Sequence, residues 1–214
     1  MTEEIRTVPA PVPSLIADPG PLGLAAFALT TFLLSAANAN WMTAATGNAW
    51  LGYALAYGGA VQLLAGMWEF RNRNVFGATA FSTYGGFWIG LFLWVQFVAP
   101  HAASAAAADH DLGWILLAFA IFNTSMLILS TQVNLAVFAV FLTLEITEII
   151  LFIGNFEGNT TIVHIGGYLG IITALAAWYA SAAGVSNGMT GSRIKLPVGS
   201  PLLAPRPVAV AVSA

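Results

Sequence analysis

The sequence predicts an all-α integral membrane protein with six transmembrane helices and both termini in the cytoplasm. Of the 214 residues, 58% are hydrophobic and 7% are charged, and the mean hydropathy is +0.82. Soluble domains carry about 25% charged residues, so this composition indicates a chain that lies in the bilayer. Six largely apolar stretches reach the ~20 residues that a helix needs to cross the hydrocarbon, and the basic loop residues fall on one side of them.

Polar and glycine-containing segments separate the six stretches. Residues 38–48 are rich in Asn, Thr and Gly, residues 71–74 and 130–132 are short polar turns, and residues 100–111 predict a longer loop with an alanine run. These residue types are typical of turns and loops. The predicted spans are 21–37, 49–70, 75–99, 112–129, 133–153 and 162–183.

Charged residues orient the predicted bundle, because cytoplasmic loops carry the excess of Lys and Arg. Basic residues follow the second span and the sixth span; they are Arg71, Arg73, Arg193, Lys195 and Arg206. Acidic residues occupy loops at the opposite end; they are Asp109, Asp111 and Glu157. An even number of spans places all the basic groups on one side, so both ends of the chain are predicted to be cytoplasmic.

The chain divides into a membrane domain and two tails. Residues 1–17 predict a flexible, partly polyproline-like cytoplasmic tail, since they lack the basic start and adjoining apolar core of a signal peptide. Residues 18–190 contain the six spans. Residues 191–214 are again Pro-rich and predict a disordered cytoplasmic tail.

Several classes of function are disfavoured by what the chain lacks. It has no cysteine, and His101, His110 and His164 are not spaced as metal ligands, so neither a metal site nor a cofactor is predicted. The net charge of −3 is small and scattered, which disfavours a nucleic-acid partner. No nucleophile elbow, phosphate-binding loop or dinucleotide-binding glycine motif is present, so the chain is not expected to be an enzyme.

The spans contain no Lys or Arg, which limits how an anion could be bound inside the bundle. Hydroxyl and amide donors, backbone N–H groups and helix N-termini would remain to contact it, and binding would be weak. Weak binding suits a channel or a fast, low-affinity carrier. The candidate contacts are Gln62, Ser82, Thr83 and Asn155, although an amide such as that of Asn155 also fits a bond between helices.

Two glutamates lie near the middle of the fifth span. Glu145 and Glu148 are one helical turn apart on one face, and acids at this depth often mark ion or proton routes. One interpretation is a proton-binding pair. The other is a pair of neutral acids that bond to Thr143, Thr147 or a neighbouring helix or subunit.

Two further titratable residues lie near the ends of spans. Glu69 is seven residues after Gln62 and adjoins Arg71 and Arg73, which favours a surface ion pair. His164 opens the sixth span on the outer side, as a candidate pH sensor or as a simply solvated histidine.

Small residues recur at helix-packing spacing in two spans. Gly86 and Gly90 lie in the third span, and Gly166 and Gly170 lie in the sixth. Pairs at this spacing let helix backbones approach closely in lipid, within a subunit or between subunits.

Several segments together carry a combination of motifs that is typical of one family. Asp18-Pro19-Gly20-Pro21-Leu22-Gly23-Leu24 is similar to an entrance motif of sequence Asn-Pro-Ala-Pro-Leu-Gly-Leu. The stretch from Tyr57 to Trp88, the pair Gly154-Asn155 and the run from His164 to Gly170 match as well. In these features residues 18–200 resemble the acetate uptake, or succinate/acetate permease (YaaH-type), family.

The resemblance implies a six-helix subunit that assembles as a hexamer, with a pathway for acetate, succinate and related small carboxylates in each subunit. It also implies an entrance motif that includes Asp18, Pro19, Pro21 and Gly23. Four positions depart from the family pattern: Asp18 replaces an asparagine, Gly20 replaces an alanine, and Glu145 and Glu148 lie in a region that is usually apolar.

The resemblance further implies an apolar constriction built from three spans. Phe27 and Tyr84 match its aromatic positions. The third position is either Leu144, favoured by counting back from Gly154-Asn155, or Leu142, favoured by matching a Leu-Thr pair.

The expected function is therefore proton-linked transport of acetate and other short carboxylates across the plasma membrane, the cell inner membrane. A passive anion channel for acetate is the alternative within this class. A non-transporting membrane sensor or scaffold is the alternative from a different class.

Overall fold

The structure is a computed structural model that describes residues 16–43 and 48–204. The predicted N-terminal tail lies almost entirely outside these residues, as does Arg206. The described residues contain six helical segments: α1 (Gly20–Asn38), α2 (residues 51–71), α3 (Val75–His101), α4 (Ala105–Ser130), α5 (Leu135–Phe156) and α6 (Thr160–Gly188).

Five of the segments, all except α2, are long and apolar enough to cross a membrane by length and composition. Segment α2 is helical throughout, but it changes from α geometry to π geometry over Ala54–Val61 and back to α geometry over Gln62–Arg71. The prediction of an all-helical membrane protein is confirmed, and the six helical segments correspond to the six predicted spans.

One predicted loop is wrong. Residues 105–108, the alanine run, form the first turn of α4, and the side chain of Ser104 accepts a hydrogen bond of 3.1 Å from the backbone N–H of Ala107. Alanine has the highest helix propensity, and serine is a preferred capping residue. The run therefore begins a helix, and α4 is longer than its apolar part.

Asparagine side chains start three of the helices. Asn74, Asn134 and Asn159 each accept a hydrogen bond from backbone N–H groups in the first turns of α3, α5 and α6 respectively. Such caps satisfy donors that have no partner within the helix. The asparagines in these short polar turns thus determine where the three helices begin.

The helices are arranged around a common axis in the order α4, α5, α6, α1, α2, α3. The main contacts join α1 with α6, α5 with α6, α4 with α5, and α2 with α3. Aromatic rings close the gap between α3 and α4, where the centroids of Phe87 and Phe119 are 4.6 Å apart. The N-terminal end of α1 and the C-terminal end of α6 lie at the same end of the bundle, because the Ser181 hydroxyl donates to the carbonyl of Pro21 at 2.7 Å.

Glycines decide how closely α1 and α6 pack. A Cβ atom on Gly167 would lie 2.8 Å from the backbone carbonyl oxygen of Ser35, and one on Gly170 would overlap the Ser35 side chain. The predicted packing role thus holds for α6 within the chain. The α3 glycines differ, because a Cβ on Gly86 or Gly90 would meet nothing within 4 Å.

Polarity is distributed as expected for a protein in lipid. The largest fully buried side chains are all polar: Gln62, Glu69, Asn123, Thr30, Thr173 and Ser130. Large apolar side chains point outward, as at Ile121, which is 66% exposed, and Phe70, which is 58% exposed. Polar groups avoid hydrocarbon by facing the bundle interior.

The described part of the C-terminal tail is held against the bundle, and the prediction of disorder is wrong for it. The carbonyl of Val198 accepts a hydrogen bond of 2.9 Å from the Ala136 N–H, and the Leu203 N–H donates to the carbonyl of Thr131 at 3.0 Å. Tyr179 donates its hydroxyl to the carbonyl of Pro197 at 2.6 Å. These partners lie on α4, α5 and α6, so sequence composition alone could not reveal them.

Substitution of Gly167 by alanine is expected to destabilise the bundle. The added methyl overlaps backbone atoms of α1 that cannot rotate away, and overpacking of this kind costs about 1–3 kcal/mol of unfolding free energy. Thermal unfolding of the purified protein in detergent measures the loss. Gly188→Ala, at the exposed end of the same helix, is the control, since its methyl would enter open space; equal destabilisation by both variants would contradict the α1–α6 contact.

Candidate functional site

Two cavities enter the bundle from opposite ends. The inner cavity, of about 210 Å³, lies at the end of the bundle where α1 begins and α6 ends. It is lined by residues that include Asp18, Phe27, Gln62, Glu69, Tyr84 and Leu144. The outer cavity, of about 390 Å³, lies at the other end and is lined by residues that include Leu34, Leu91, Asp109, Leu151, Asn155 and His164.

The predicted constriction residues meet in the structure. The rings of Phe27 and Tyr84 are in edge contact with centroids 5.8 Å apart, and both side chains line the inner cavity. Leu144 also lines this cavity and is buried, whereas Leu142 is 38% exposed and lines neither cavity. Two residues advance a helix by about 200°, so Leu142 and Leu144 face opposite sides of α5. The geometry therefore selects Leu144 as the candidate.

Gln62 and Glu69 lie together on the wall of the inner cavity. Gln62 is 1% exposed and Glu69 is 0% exposed, and one side-chain oxygen of each has no hydrogen-bond partner. The other Glu69 oxygen accepts from the Asn72 side chain at 3.1 Å. The predicted surface ion pair of Glu69 is wrong, because the carboxyl turns inward past Gly20 and Gly77, where added Cβ atoms would lie 3.3 and 2.7 Å from its Oε1.

The entrance motif forms the first turn of α1 beside this wall. The Asp18 carboxyl accepts a hydrogen bond of 2.9 Å from the Gly20 N–H, and Gly23 donates its N–H to the carbonyl of Pro19 at 3.1 Å. Pro21 lines the inner cavity with Asp18. Gly23 contacts the ring of Phe81, where a Cβ would lie 2.7 Å from ring carbons, so only glycine fits there.

Ser82 and Thr83 are not brought to either cavity. Residues that follow one another on a helix are about 100° apart, so when Tyr84 faces the inner cavity its two predecessors turn away. Ser82 instead faces α2 at Gly66, and its buried hydroxyl has no hydrogen-bond partner. The expectation that these hydroxyls contact a passing anion is not supported by their placement.

The outer cavity contains two of the predicted residues. Asn155 is 9% exposed, and its side-chain amide donates to the carbonyl of Leu151 at 2.8 Å. His164 and Asp109 also line this cavity. The Asn155 amide thus forms a hydrogen bond within α5 and also borders the outer cavity, which an external solute would enter.

Glu145 and Glu148 belong to one hydrogen-bonded network that also includes α3 and α4. Glu145 accepts bonds from the Asn123 side-chain amide at 2.7 Å and from the Thr124 hydroxyl at 2.6 Å. The oxygen of the same Asn123 amide accepts from the Tyr84 hydroxyl at 2.9 Å, and Tyr84 is 3.4 Å from Glu148 Oε1. Asn123 therefore links the constriction tyrosine to both acids.

Counting donors assigns a proton in this network. The Asn123 amide uses both hydrogens, on Glu145 and on the carbonyl of Phe141 at 3.1 Å. The single hydroxyl proton of Tyr84 points to Asn123, the nearer acceptor. A hydrogen bond between Glu148 Oε1 and the Tyr84 oxygen then requires a proton on Glu148, whereas both oxygens of Glu145 already accept a hydrogen bond from a neighbour. The two acids are not equivalent.

Charge is distributed unevenly over the site. Among the residues that line either cavity there is no Lys or Arg, whereas Asp18 and Glu69 line the inner cavity and Asp109 lines the outer one. An anion in the pathway would therefore meet only dipolar donors and acids, which favours weak binding. Among the described residues, no group of three His, Asp or Glu side chains could hold a metal ion.

Three residues of the interior were not singled out from the sequence. They are Asn123, which links Tyr84 to Glu145, and Thr31 and Trp88, which each have a buried polar atom without a partner. A usable signal was present for the latter two: each lies four residues after a constriction residue, Phe27 or Tyr84, and so on the same helix face.

Comparison with known proteins gives consistent relatives. The sequence profile of the GPR1/FUN34/yaaH family matches residues 3–200. Acetate permease A from Emericella nidulans is 39% identical over 80% of this chain and 62% of its own length. The succinate-acetate/proton symporter SatP from Escherichia coli K12 is 34% identical over 86% of the chain and 96% of its own length.

A solved structure has the same fold. The bacterial acetate channel SatP superposes with a TM-score of 0.77 at 32% identity, over 86% of this chain and 99% of that one. The chain spans less than two thirds of three of its fungal relatives, with 62% of the Emericella permease and 64% of two Saccharomyces cerevisiae proteins.

A cysteine placed at Asn155 is expected to react with a charged, membrane-impermeant thiol reagent, because this position borders the outer cavity. The chain has no cysteine of its own, so labelling reports this site alone. Thr147→Cys is the control, since Thr147 is buried against Thr173 at 3.2 Å on the same helix. Mass spectrometry after labelling measures both; equal labelling would contradict an aqueous outer cavity.

Proposed function

Because the chain belongs to the GPR1/FUN34/yaaH family, we propose that it transports acetate and other small carboxylates such as succinate, and that it is not an enzyme. The names of its relatives, an acetate permease, a succinate-acetate/proton symporter and an acetate channel, support this substrate class. The observation that carries the proposal is a pair of cavities that enter from opposite ends, with Phe27, Tyr84 and Leu144 together in the lining of the inner one.

The three constriction residues act as the gate. Phe27, Tyr84 and Leu144 present two rings and an isobutyl group to the narrow part of the pathway. An apolar constriction excludes water unless it widens, so a hydrated anion passes only when these side chains separate. Extra rings around Tyr84, from Phe87, Phe119 and Phe122, fix its position from the α3 and α4 side.

Each cavity offers weak contacts to a carboxylate. Gln62 supplies an amide in the inner cavity, and Asn155 supplies one in the outer cavity. The entrance motif with Asp18 forms part of the inner opening. Since neither cavity has a cationic side chain, the solute is held loosely and leaves readily, as transport requires.

Transport is linked to protons through the fifth helix. Glu148 is the proton-binding residue, because the network around Tyr84 is complete only when Glu148 is protonated. The titratable groups that act on it are Glu145, from its own helix, and Tyr84, from α3; the neighbouring residues of α4 and α6, Asn123 and Thr173, do not titrate. Glu145, as an acceptor for Asn123, holds the network in place, and His164 lies too far out to belong to it.

The proposal also includes the membrane in which the chain lies and the oligomer that it forms. Both termini face the cytoplasm of a cell whose plasma membrane, the cell inner membrane, contains six copies of the chain as a hexamer, each with its own pathway. Exposed Gly86 and Gly90 support assembly, because an α3 face without side chains allows a neighbouring helix to approach closely. A passive acetate channel is the nearest alternative, and a sensor or scaffold without transport is the more distant one.

Reconstitution of the purified chain in liposomes tests the function. Uptake of labelled acetate above the protein-free blank is expected, together with accumulation against its gradient when the outside is made acidic. Uptake that ignores the proton gradient would identify the passive channel, and absence of uptake would reject transport and leave the sensor. Glu148→Gln is expected to keep downhill flux and to lose the gradient-driven accumulation.

Shortening Leu144 is expected to raise acetate flux, because Leu144→Ala removes about three methylene-sized groups from the barrier and lets water enter it. Leu142→Ala is the matched control, since Leu142 is on the opposite, exposed face of α5. Initial rates in liposomes of equal protein content compare the two. Equal effects of both substitutions would show that Leu144 is not part of the gate.

A further inference from the structure

Three helices repeat one spacing between the two cavities. Along α1, α3 and α5, a residue that lines the inner cavity is followed seven positions later by one that lines the outer cavity. The pairs are Phe27 and Leu34, Tyr84 and Leu91, and Leu144 and Leu151. Positions seven apart share a helix face, so each helix presents one face continuously to both cavities.

The middle position of each face carries a polar side chain. It is four residues after the inner-cavity residue, hence about 6 Å further along the axis, and it is Thr31 on α1, Trp88 on α3 and Glu148 on α5. The three residues are 6%, 2% and 5% exposed respectively. Each shared helix face is thus apolar where it lines a cavity and polar at a buried position between the two cavities.

Each of these side chains has an atom with no partner. Among the described residues, six buried side-chain nitrogen or oxygen atoms lack a hydrogen bond, and three of them are Thr31 Oγ1, Trp88 Nε1 and Glu148 Oε2. An unsatisfied polar group at such depth costs about 1–3 kcal/mol. Three such atoms at one level, each on a face shared by both cavities, indicate a site that is completed by a solute.

We propose that Thr31, Trp88 and Glu148 form a carboxylate-binding site inside the barrier, where the substrate passes between the two cavities. This inference rests on the proposed function. A carboxylate oxygen accepts the Thr31 O–H and the Trp88 N–H, and the second oxygen accepts the proton of the Glu148 acid. The solute is a monocarboxylate small enough to pass the constriction, such as acetate.

The chemistry of the three groups selects this class of ligand. An indole N–H can only donate, so Nε1 of Trp88 cannot coordinate a cation, and a hydroxyl and a carboxylic acid can both donate as well. Three donors around one carboxylate replace part of its hydration shell without any fixed positive charge. The site therefore lowers the barrier to an anion while it holds the anion weakly.

The tyrosine network lets Glu148 change partner. In the empty site the acid proton bonds Tyr84. When a carboxylate arrives, the Glu148 carboxyl rotates so that its protonated oxygen donates to the solute, and the Tyr84 hydroxyl turns from Asn123 toward the other Glu148 oxygen. No bond to carbon changes, and the proton stays on Glu148 or passes to the solute. The hydrogen-bond partner of the gate residue Tyr84 thereby depends on whether a solute occupies the barrier site.

Two substitutions that remove a donor but keep shape test the site. Thr31→Val and Trp88→Phe are each expected to raise the half-saturation concentration for acetate uptake about tenfold, the effect of losing one hydrogen bond to a charged group. The gradient-driven accumulation should persist in both. Glu148→Gln removes the proton that the acid carries, so it is expected to lose the gradient-driven accumulation that the other two variants keep.

The controls are residues of the same type whose donors do not face the barrier. Thr30→Val removes a hydroxyl that already bonds the carbonyl of Ala26 at 2.9 Å, and Trp114→Phe changes an indole that is 58% exposed. Both should transport with the half-saturation of the unmodified chain. Thr31→Ser should retain the affinity that Thr31→Val loses.

A measurement on the unmodified chain avoids dependence on how the variants fold. With ¹⁵N-labelled tryptophan, the indole N–H signal that is absent from Trp88→Phe is expected to move on addition of acetate and to stay in place with acetamide. No moving signal, or unchanged half-saturation in both Thr31→Val and Trp88→Phe, would overturn the site. If the unmodified chain shows no acetate flux, the proposed function fails, whereas flux without these effects rejects the barrier site alone.

Discussion

The need to satisfy polar groups inside hydrocarbon governs this structure. Water is unavailable along the lipid-facing surface, so buried polar side chains must find partners in the bundle or in the pathway. Several of them do so across helices, as in the bonds of Tyr84 with Asn123 and of Thr147 with Thr173. Apart from Ser82, the buried side chains with an unpartnered atom lie in the inner cavity wall or at the level of the proposed barrier site.

Close helix packing makes that arrangement possible. Glycines of α6 bring α1 and α6 into backbone contact, and the π geometry of Ala54–Val61 leaves the carbonyl of Tyr53 within 3.5 Å of the Thr30 hydroxyl. A π segment is a common device at functional sites, where it re-aims the side chains that follow. Here the following residues include Gln62, which faces the inner cavity. Helix α1 thus packs tightly against α6 and α2, while the interior of the bundle stays open at the inner cavity.

The electrostatic character of the pathway is unusual for an anion route because cations are replaced by neutral donors and protonated acid. Glu145 and Glu148 differ in their partners although they are one turn apart. Glu145 has two donors, whereas Glu148 has a neighbouring hydroxyl that is already committed to Asn123. In the proposed mechanism Glu145 is the fixed acceptor that positions Asn123 and Tyr84, and Glu148 carries the proton.

The sequence by itself determined the membrane class, the approximate spans, the helix caps and the family, because these depend on composition, local periodicity and short motifs. Only the tertiary structure decided that Leu144 rather than Leu142 lines the pathway, that Ser82 and Thr83 turn away although Tyr84 beside them faces inward, and that Glu69 is buried. Each of these outcomes depends on helix rotation. A turn of 100° per residue changes what a side chain meets, and the rotation is set by contacts between segments far apart in the chain.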